Sequence, residues 1–288
     1  MTLIVASLRS AFPLKDLLAY FNLPRSTFYE NLSRKKTDKY AQVRLHIKTI
    51  FKKTKGVYGY RRMTYALAAE YNITLNRKTV ARLMKEQGLV GKVRRRGRYT
   101  SYWGEVGTIA DNVLYQNFSA TRPFQKMVSD ITQFKVGGKI VYLSPLIDLY
   151  NAEVVSWKIG TSPNVDMVCS MLEDVYENLC TYKPIVHTDQ GFQYQNPRWR
   201  YVLRSAGCIP SMSRKGNCLD NAPAESFFGK VKVEFSDGSE YKDVQSFVRA
   251  LNGWICWYNE ERIKESLGMS PAKYRKMKSP IKLGVCPR

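Results

Sequence analysis

The run KVRRRGR at 92–98 packs five positive charges into seven residues around a glycine, a density that resists folding. It divides the 288-residue chain into two regions that must fold on different terms. As a linker it is either a polyanion-contacting arm, through Arg94, Arg95, Arg96 and Arg98, or a plain solvated connection.

Charge follows the same division. The first hundred residues hold 23 Lys/Arg against 5 Asp/Glu, a net of +18 out of +22 for the whole chain. A basic region joined to a nearly balanced one fits a nucleic-acid binder followed by a different domain; a basic surface serving solubility is the alternative. Apolar residues make up 44% and charged residues 24%, which excludes a mainly disordered, collagen-like or coiled-coil chain. No apolar run approaches the ~18 residues of a membrane span. The opening MTLIVASLRSAF shows no cleavage signature of a signal peptide. Six cysteines without C-x-x-C spacing and only two histidines argue against a zinc finger. Scattered free thiols in a reducing cytosol are the simpler expectation.

The basic region reads as helical. In PLKDLLAYFNLPRSTFYENLS (13–33), Leu14, Leu17, Leu18 and Phe21 recur at helical spacing until Asn22–Pro24 interrupts. A second helix is expected from Pro24, with Phe28, Tyr29 and Leu32 inward and Arg25, Ser26 and Thr27 outward, as in a helix-turn-helix. Residues 61–71 predict another helix, and Asn76 caps a further one that ends at Gly88. Val80, Leu83 and Met84 face inward there, leaving Arg77, Lys78, Arg82 and Lys85 on other faces. In GVYGYRR (56–62), aromatics beside Arg61 and Arg62 read as a phosphate-contacting segment, with simple packing of Tyr58 and Tyr60 the alternative.

From about 124 the period changes. FQKMVSDITQFKV (124–136) is extended, VGG turns it into 139–150, and 151–160 makes a third strand. A helix over 164–179 and a short strand over 184–191 follow, which argues for a mixed α/β sheet flanked by helices. Asp130 falls inside the first strand and Asp189 ends the later one. Glu225 lies on a helix that Asp220 or Asn221 can cap, with Pro223 in its first turn. A carboxylate in a core strand is costly unless its charge is used. Three converging carboxylates would select Mg²⁺ or Mn²⁺, two ions about 4 Å apart serving an in-line phosphoryl displacement. With 24 acidic residues, ordinary caps and surface charges remain the alternative.

Other residues read more plainly. Asp148 is the rival ligand, taken as structural. His187 shares a strand face with Asp189, either orienting the site or closing the core edge. Gln190, Gly191 and Gln193 follow as candidates to line a cleft. Trp254, Trp257 and Tyr258 are expected to pack a helix rather than stack bases, and Ser270–Pro271 to begin one.

VSDITQF (128–134), HTDQGFQY (187–194) and NAPAESFFGKVKVE (221–234) resemble the retroviral-integrase-like core of bacterial insertion-sequence transposases, of the OrfB type from elements with two overlapping frames. Thirty-five residues separate Asp189 from Glu225, the interval typical of that group's Asp–Asp–Glu triad. WICWYNEERIKESLGMSPAKY (254–274) is similar to its closing signature, and GVYGYRRMTYAL and NRKTVARLMKEQGL to its helical domain. Met127 stands where the group often has Trp, and Lys264 where it often has His.

The resemblance implies a ribonuclease H-like core preceded by an all-α helix-turn-helix region. It implies Mg²⁺-dependent DNA cleavage and strand transfer, with Asp130, Asp189 and Glu225 as catalytic and metal residues. Two Mg²⁺ ions are expected, with Mn²⁺ able to substitute. Lys232, seven residues after Glu225 and about 10 Å along the same helix face, is expected on a DNA phosphate, with a plain solvated lysine the alternative. Arg25, Arg61, Arg62, Arg77, Lys78 and the linker arginines complete the expected DNA contacts. The implied partners are terminal inverted repeats, target DNA, further copies of the chain on DNA, and an upstream-frame OrfA product as partner or fusion. The implied setting is the bacterial cytoplasm, at the nucleoid. The expected organisation is a helical DNA-binding region over 1–91, a linker over 92–120, the core over 121–240 and a helical extension over 241–288. A non-catalytic DNA-binding regulator and a general nuclease of the same fold are the rival readings.

Overall fold

Three short helices open the chain: α1 (Thr2–Leu8), α2 (Leu14–Tyr20) and α3 (Arg25–Ser33). Val5, Leu17, Leu18 and Phe28 close their small core. Helix α1 is additional to the two helices expected. Three short helices cannot cover a wide stripe, so Tyr29 and Leu32 are 41% and 43% exposed rather than inward. In this computed structural model residues 1–33, 38–93, 109–214, 218–236 and 238–279 are described, and Arg94, Arg95, Arg96 and Arg98 lie outside them.

The chain divides into compact units Met1–His46 and Ile47–Arg288, with the boundary inside α4 (Ala41–Lys53). The change of composition near residue 91 is therefore not where compactness divides. Helices α5 (Tyr60–Tyr71) and α6 (Arg77–Glu86) belong to the second unit. Asn76 caps α6 by accepting the Lys78 N–H, and Val80, Leu83 and Met84 are its buried stripe. The later part of the expected linker is tied to the core. Val113 N–H donates to Ser211 Oγ at 2.9 Å, and Asn112 and Gln116 both donate to Asp220.

The sheet begins with β1 (Lys126–Ser129) and β2 (Thr132–Val136), which continue in one register against β3 (Lys139–Asp148). They are one expected strand broken at Asp130–Ile131. Extending the register sets Pro145 opposite Asp130, and proline has no N–H for the ladder. Gly137 and Gly138 form the two-residue hairpin loop with φ +54° and +77°, the conformation such a turn requires. β4 (Val154–Gly160) pairs on the far side of β3.

Helices α7 (Val165–Glu173) and α8 (Tyr176–Tyr182) replace the single helix expected over 164–179. β5 (Ile185–Thr188) runs parallel to β1. After α9 (Phe192–Gln195) and α10 (Pro197–Ser205), β6 (Ile209–Met212) adds a parallel edge that the sequence did not announce. Pro210 sits in it, tolerable because β6 is an edge strand of the sheet.

Helix α11 (Ala222–Lys230) continues into a π-helical turn over Val231–Phe235, and α12 (Val244–Glu260) and α13 (Pro271–Lys278) follow. Ser270 precedes Pro271 as expected, although its hydroxyl donates to the Glu260 carbonyl instead of capping α13. Helices α7, α8 and α10 bury one sheet face with Met127, Leu146 and Val186. Helices α11 and α12 bury the other with Val128, Phe134 and Ile147. Cys169, Cys180 and Cys208 are free thiols as expected, whereas Cys256 is disulfide-bonded, a pairing that spacing along the chain cannot reveal. Among the described residues no helix is long and apolar enough to cross a membrane.

Candidate active site

The parallel ladder between β1 and β5 pairs Lys126 with Ile185, Met127 with Val186 and Val128 with His187. Two further residues along each strand, the same offset brings Asp130 abreast of Asp189. Both stand just past the carboxyl ends of adjacent parallel strands, which lie about 4.8 Å apart. Strand alternation gives Asp130 the face of Val128, against which α11 packs, and Glu225 comes from the first turn of α11. Asn221 precedes that helix without a side-chain cap bond. Asp220 is used otherwise, gripped by the Arg214 guanidinium and backbone N–H, which hold its carboxyl below the usual range.

Asp130 feels both of the other carboxylates. Burial, then the charge of Asp189 and more weakly that of Glu225, pushes the Asp130 carboxyl well above the usual carboxylate range. Burial also raises Asp189. Each is held by a main-chain donor: Ile131 N–H reaches Asp130 Oδ1 at 2.7 Å, and Gly191 N–H reaches Asp189 Oδ1 at 2.9 Å. Beneath them the fully buried Tyr194 hydroxyl lies 3.2 Å from Ser129 Oγ, and burial with the charges of Asp130 and Asp189 raises it well above its ordinary value. Among the described residues, no three His, Cys, Asp or Glu side chains are drawn close enough to hold a metal ion unaided.

An HTH-like domain model matches residues 38–97, and integrase core domain models match 120–218 and 225–278. InsK, assigned as the transposase of insertion sequence element IS150 in Escherichia coli (strain K12), is 43% identical over 94% of this chain and 96% of its own. Transposase InsF for insertion sequence IS3A of the same organism is 30% identical over 92% and 95%. The chain belongs to the insertion-sequence transposases. Solved structures align at low identity. A chain of the simian T-cell lymphotropic virus intasome complex with PP2A regulatory subunit B56 gamma gives a TM-score of 0.48 at 14% identity, covering 84% of this chain and 78% of its own. The HTLV-2 integrase catalytic core domain in complex with magnesium gives 0.42 at 14%, covering 54% and 99%.

The transposase has a ribonuclease H-like core: a mixed sheet ordered β4–β3–β2/β1–β5–β6 between helices, preceded by helical regions. Its HTH-like match falls on α4 to α6, taking in the segments 56–67 and 76–89 that resemble the group's helical domain, and does not reach the α2–α3 pair. His187 is a fully buried core residue. Its ring nitrogens meet Ser211 Oγ at 2.8 Å and Ser213 Oγ at 3.1 Å, and burial pushes the imidazole down to about 4. Asp148 is buried and accepts the N–H groups of Phe124 and Tyr150. Gln190 donates to the Ser213 carbonyl, and Gln193 is buried.

The basic residues fall into two groups. Arg25 is exposed over the Tyr29 ring, and Lys78 is exposed. Arg77 reaches Tyr65 Oη, and Arg61 pairs with Glu265 at 3.0 Å. Arg62 differs: it is half-buried and donates to Glu234 Oε1 at 3.1 Å. Buried Arg262 grips the same carboxylate through Nε and Nη2 at 2.5 and 2.6 Å. Tyr58 joins them, its hydroxyl accepting the Ile263 N–H. Packing, the plainer reading of the two tyrosines, thus holds for Tyr58 but not for Tyr60, which is 40% exposed, and Arg62, expected on phosphate, is packed instead.

Lys232 is exposed, with Nζ 5.9 Å from the Phe134 ring centre. The π turn around it widens the helix, so the seven-residue step from Glu225 does not keep straight α-helical phase. Lys230, which the sequence reading passed over, donates to Ser226 Oγ at 2.8 Å. Burial, then the charges of Arg262 and Lys264, pushes its ammonium down to about 8.

Proposed function

We propose that this transposase cleaves DNA at the ends of its insertion sequence and transfers the resulting 3′-OH strand to target DNA. The observation that carries this is the shared register of two parallel strands, which sets Asp130 beside Asp189, with Glu225 arriving from α11. Their chemistry fits hard divalent cations: a buried carboxylate raised by two neighbouring ones belongs to a donor set that a cation relieves. Mg²⁺ is usually held by one or two carboxylates with water and substrate phosphate completing its shell, so a fully closed protein cage is not required.

Asp130, Asp189 and Glu225 are the residues that would hold two Mg²⁺ ions, with Mn²⁺ able to substitute. When bound, such ions activate an attacking hydroxyl and stabilise the leaving 3′ oxygen. The protein's part is orientation and dryness. Ile131 and Gly191 N–H groups fix the two aspartates, while Tyr194 and Ser129 seal the floor below them. Lys232, Arg25, Arg61, Arg77, Lys78 and Arg94, Arg95, Arg96 and Arg98 are proposed to meet DNA phosphates. The proposed partners are terminal inverted repeats, target duplex, further copies of the chain on DNA, and an OrfA product as partner or fusion. The proposed setting is the bacterial cytoplasm, at the nucleoid.

The test is a joining assay with duplexes carrying the element's ends, with and without Mg²⁺ or Mn²⁺. Joining that needs the ion and prefers those ends supports the reading. Cutting of unrelated duplexes with equal ease would reassign the protein as a general nuclease.

A further inference from the structure

A cavity of about 330 Å³ opens between the end of α4, the π turn and α12. Its volume falls within the range of sites that enclose small ligands, roughly 300–1,000 Å³. The rings of Trp254, Trp257, Phe235 and Tyr241 line it, and Lys53 and Lys55 stand in its wall. Flat apolar surfaces beside ammonium groups suit an aromatic heterocycle attached to phosphate.

Two further observations point to an occupant. Trp254 is only 8% exposed, yet among the described residues its indole N–H meets no acceptor. A buried donor left unmade is unfavourable, and a small rotation of the indole toward the cavity would let a base edge supply the acceptor. Gly253 also lines the cavity, in the interior of α12, where glycine is a poorer helix former than alanine. A Cβ there would meet nothing within 4 Å, so neither packing nor backbone conformation demands glycine. Its effect is to leave the mouth clear.

We infer that this cavity receives one unstacked base of the bound DNA strand, an inference that rests on the DNA-processing role proposed above. Phe235 follows Glu225 by ten residues on the same helical rod, on the order of 15 Å. At about 3.4 Å per nucleotide, that reaches roughly four or five steps from the reacting phosphate. Extruding a base there unstacks the strand near its cleavage point, and stacking on the aromatic wall offsets the unpairing. Lys55 is exposed beside the cavity for the flanking phosphate, while Lys53 also pairs with Glu70 and Glu261.

The test measures binding of element-end duplexes to the full chain by fluorescence anisotropy without divalent ions, scanning a single abasic nucleotide along the terminal repeat. In the wild type one position should weaken binding about tenfold or more. Gly253→Leu, which fills the mouth, should bind the intact duplex about tenfold more weakly and be indifferent to that same position. It should also melt at or above the wild-type temperature, which shows that it is folded. Trp254→Phe, keeping a ring but losing the N–H, should fall between. A flat abasic scan, or wild-type affinity in Gly253→Leu, would overturn the inference. So would sedimentation showing a DNA-free self-association that Gly253→Leu abolishes, because the occupant would then be a second copy's side chain. A wild type that binds these ends and never joins them would sink the catalytic reading while leaving the cavity result standing.

Discussion

The start of α11 and the π turn that ends it both gather charge, on opposite rules. At the start, Asp130, Asp189 and Glu225 bring like charges together, and the burial of Asp130 makes that unfavourable. At the other end, Glu234 is clasped by Arg62 and Arg262, so its charge is answered at once. Opposite charges with full hydrogen bonding describe an architectural joint, here tying α5 and the segment after α12 to the π turn that follows α11. Like charges brought together, one of them buried, describe a site suited to a cation from outside.

The comparison predicts opposite consequences for removing a carboxylate. Asp130→Asn should lower strand joining on the order of 10³-fold while the protein melts at or above the wild-type temperature. Normal joining, or a collapse in stability, would break the contrast. Glu234→Gln should destabilise the fold by about 3–5 kcal/mol in denaturant unfolding, because it strands two arginines in a poorly solvated joint. Any loss of joining should then track the unfolded fraction.

A buried group with no counter-charge role sharpens the distinction. Because His187 titrates at about 4 in the fold against an ordinary 6.5, it favours the native state when neutral. Its contribution is complete above pH 6.5 and is lost as pH falls through 4. The stability of the wild type relative to His187→Asn should therefore drop by about 3 kcal/mol between pH 7 and pH 4. Unfolding curves for the pair at both pH values check this, and the difference cancels Asp148, whose carboxyl is raised to about 6 and moves the opposite way. Smallest of all, Arg61→Ala loses an exposed pair with Glu265 and should leave the unfolding midpoint essentially unchanged. If Arg61 instead meets DNA, its loss should lower the salt dependence of binding by about one unit of slope.

Local chemistry was the most legible part of this chain. The Gly137–Gly138 turn, the Asn76 cap and the stripe of Val80, Leu83 and Met84 are set by neighbours a few residues away. β6 was not legible, because Pro210 and a weak alternation disguise a strand that exists only through β5. Nor was the break at Asp130, which depends on Pro145 standing across the ladder. Of the site, the three acidic positions could be named from their motifs. The Tyr194 floor and the Arg62–Glu234–Arg262 joint could not, since their partners lie 28 to 172 residues apart. The sequence read Arg62 by its charge, and only burial reveals that the charge is already spent.

Asp130 and Asp189 are neighbours because two backbones are laced together in step, not because the carboxylates attract. An extra residue inserted within Lys126–Ser129 would rotate Asp130 to the opposite side of the sheet, and one within Ile185–Thr188 would do the same to Asp189. Changes in chain length are thus least tolerable in two four-residue segments that hold no reacting group at all. There the number of residues constrains descent more tightly than their identity.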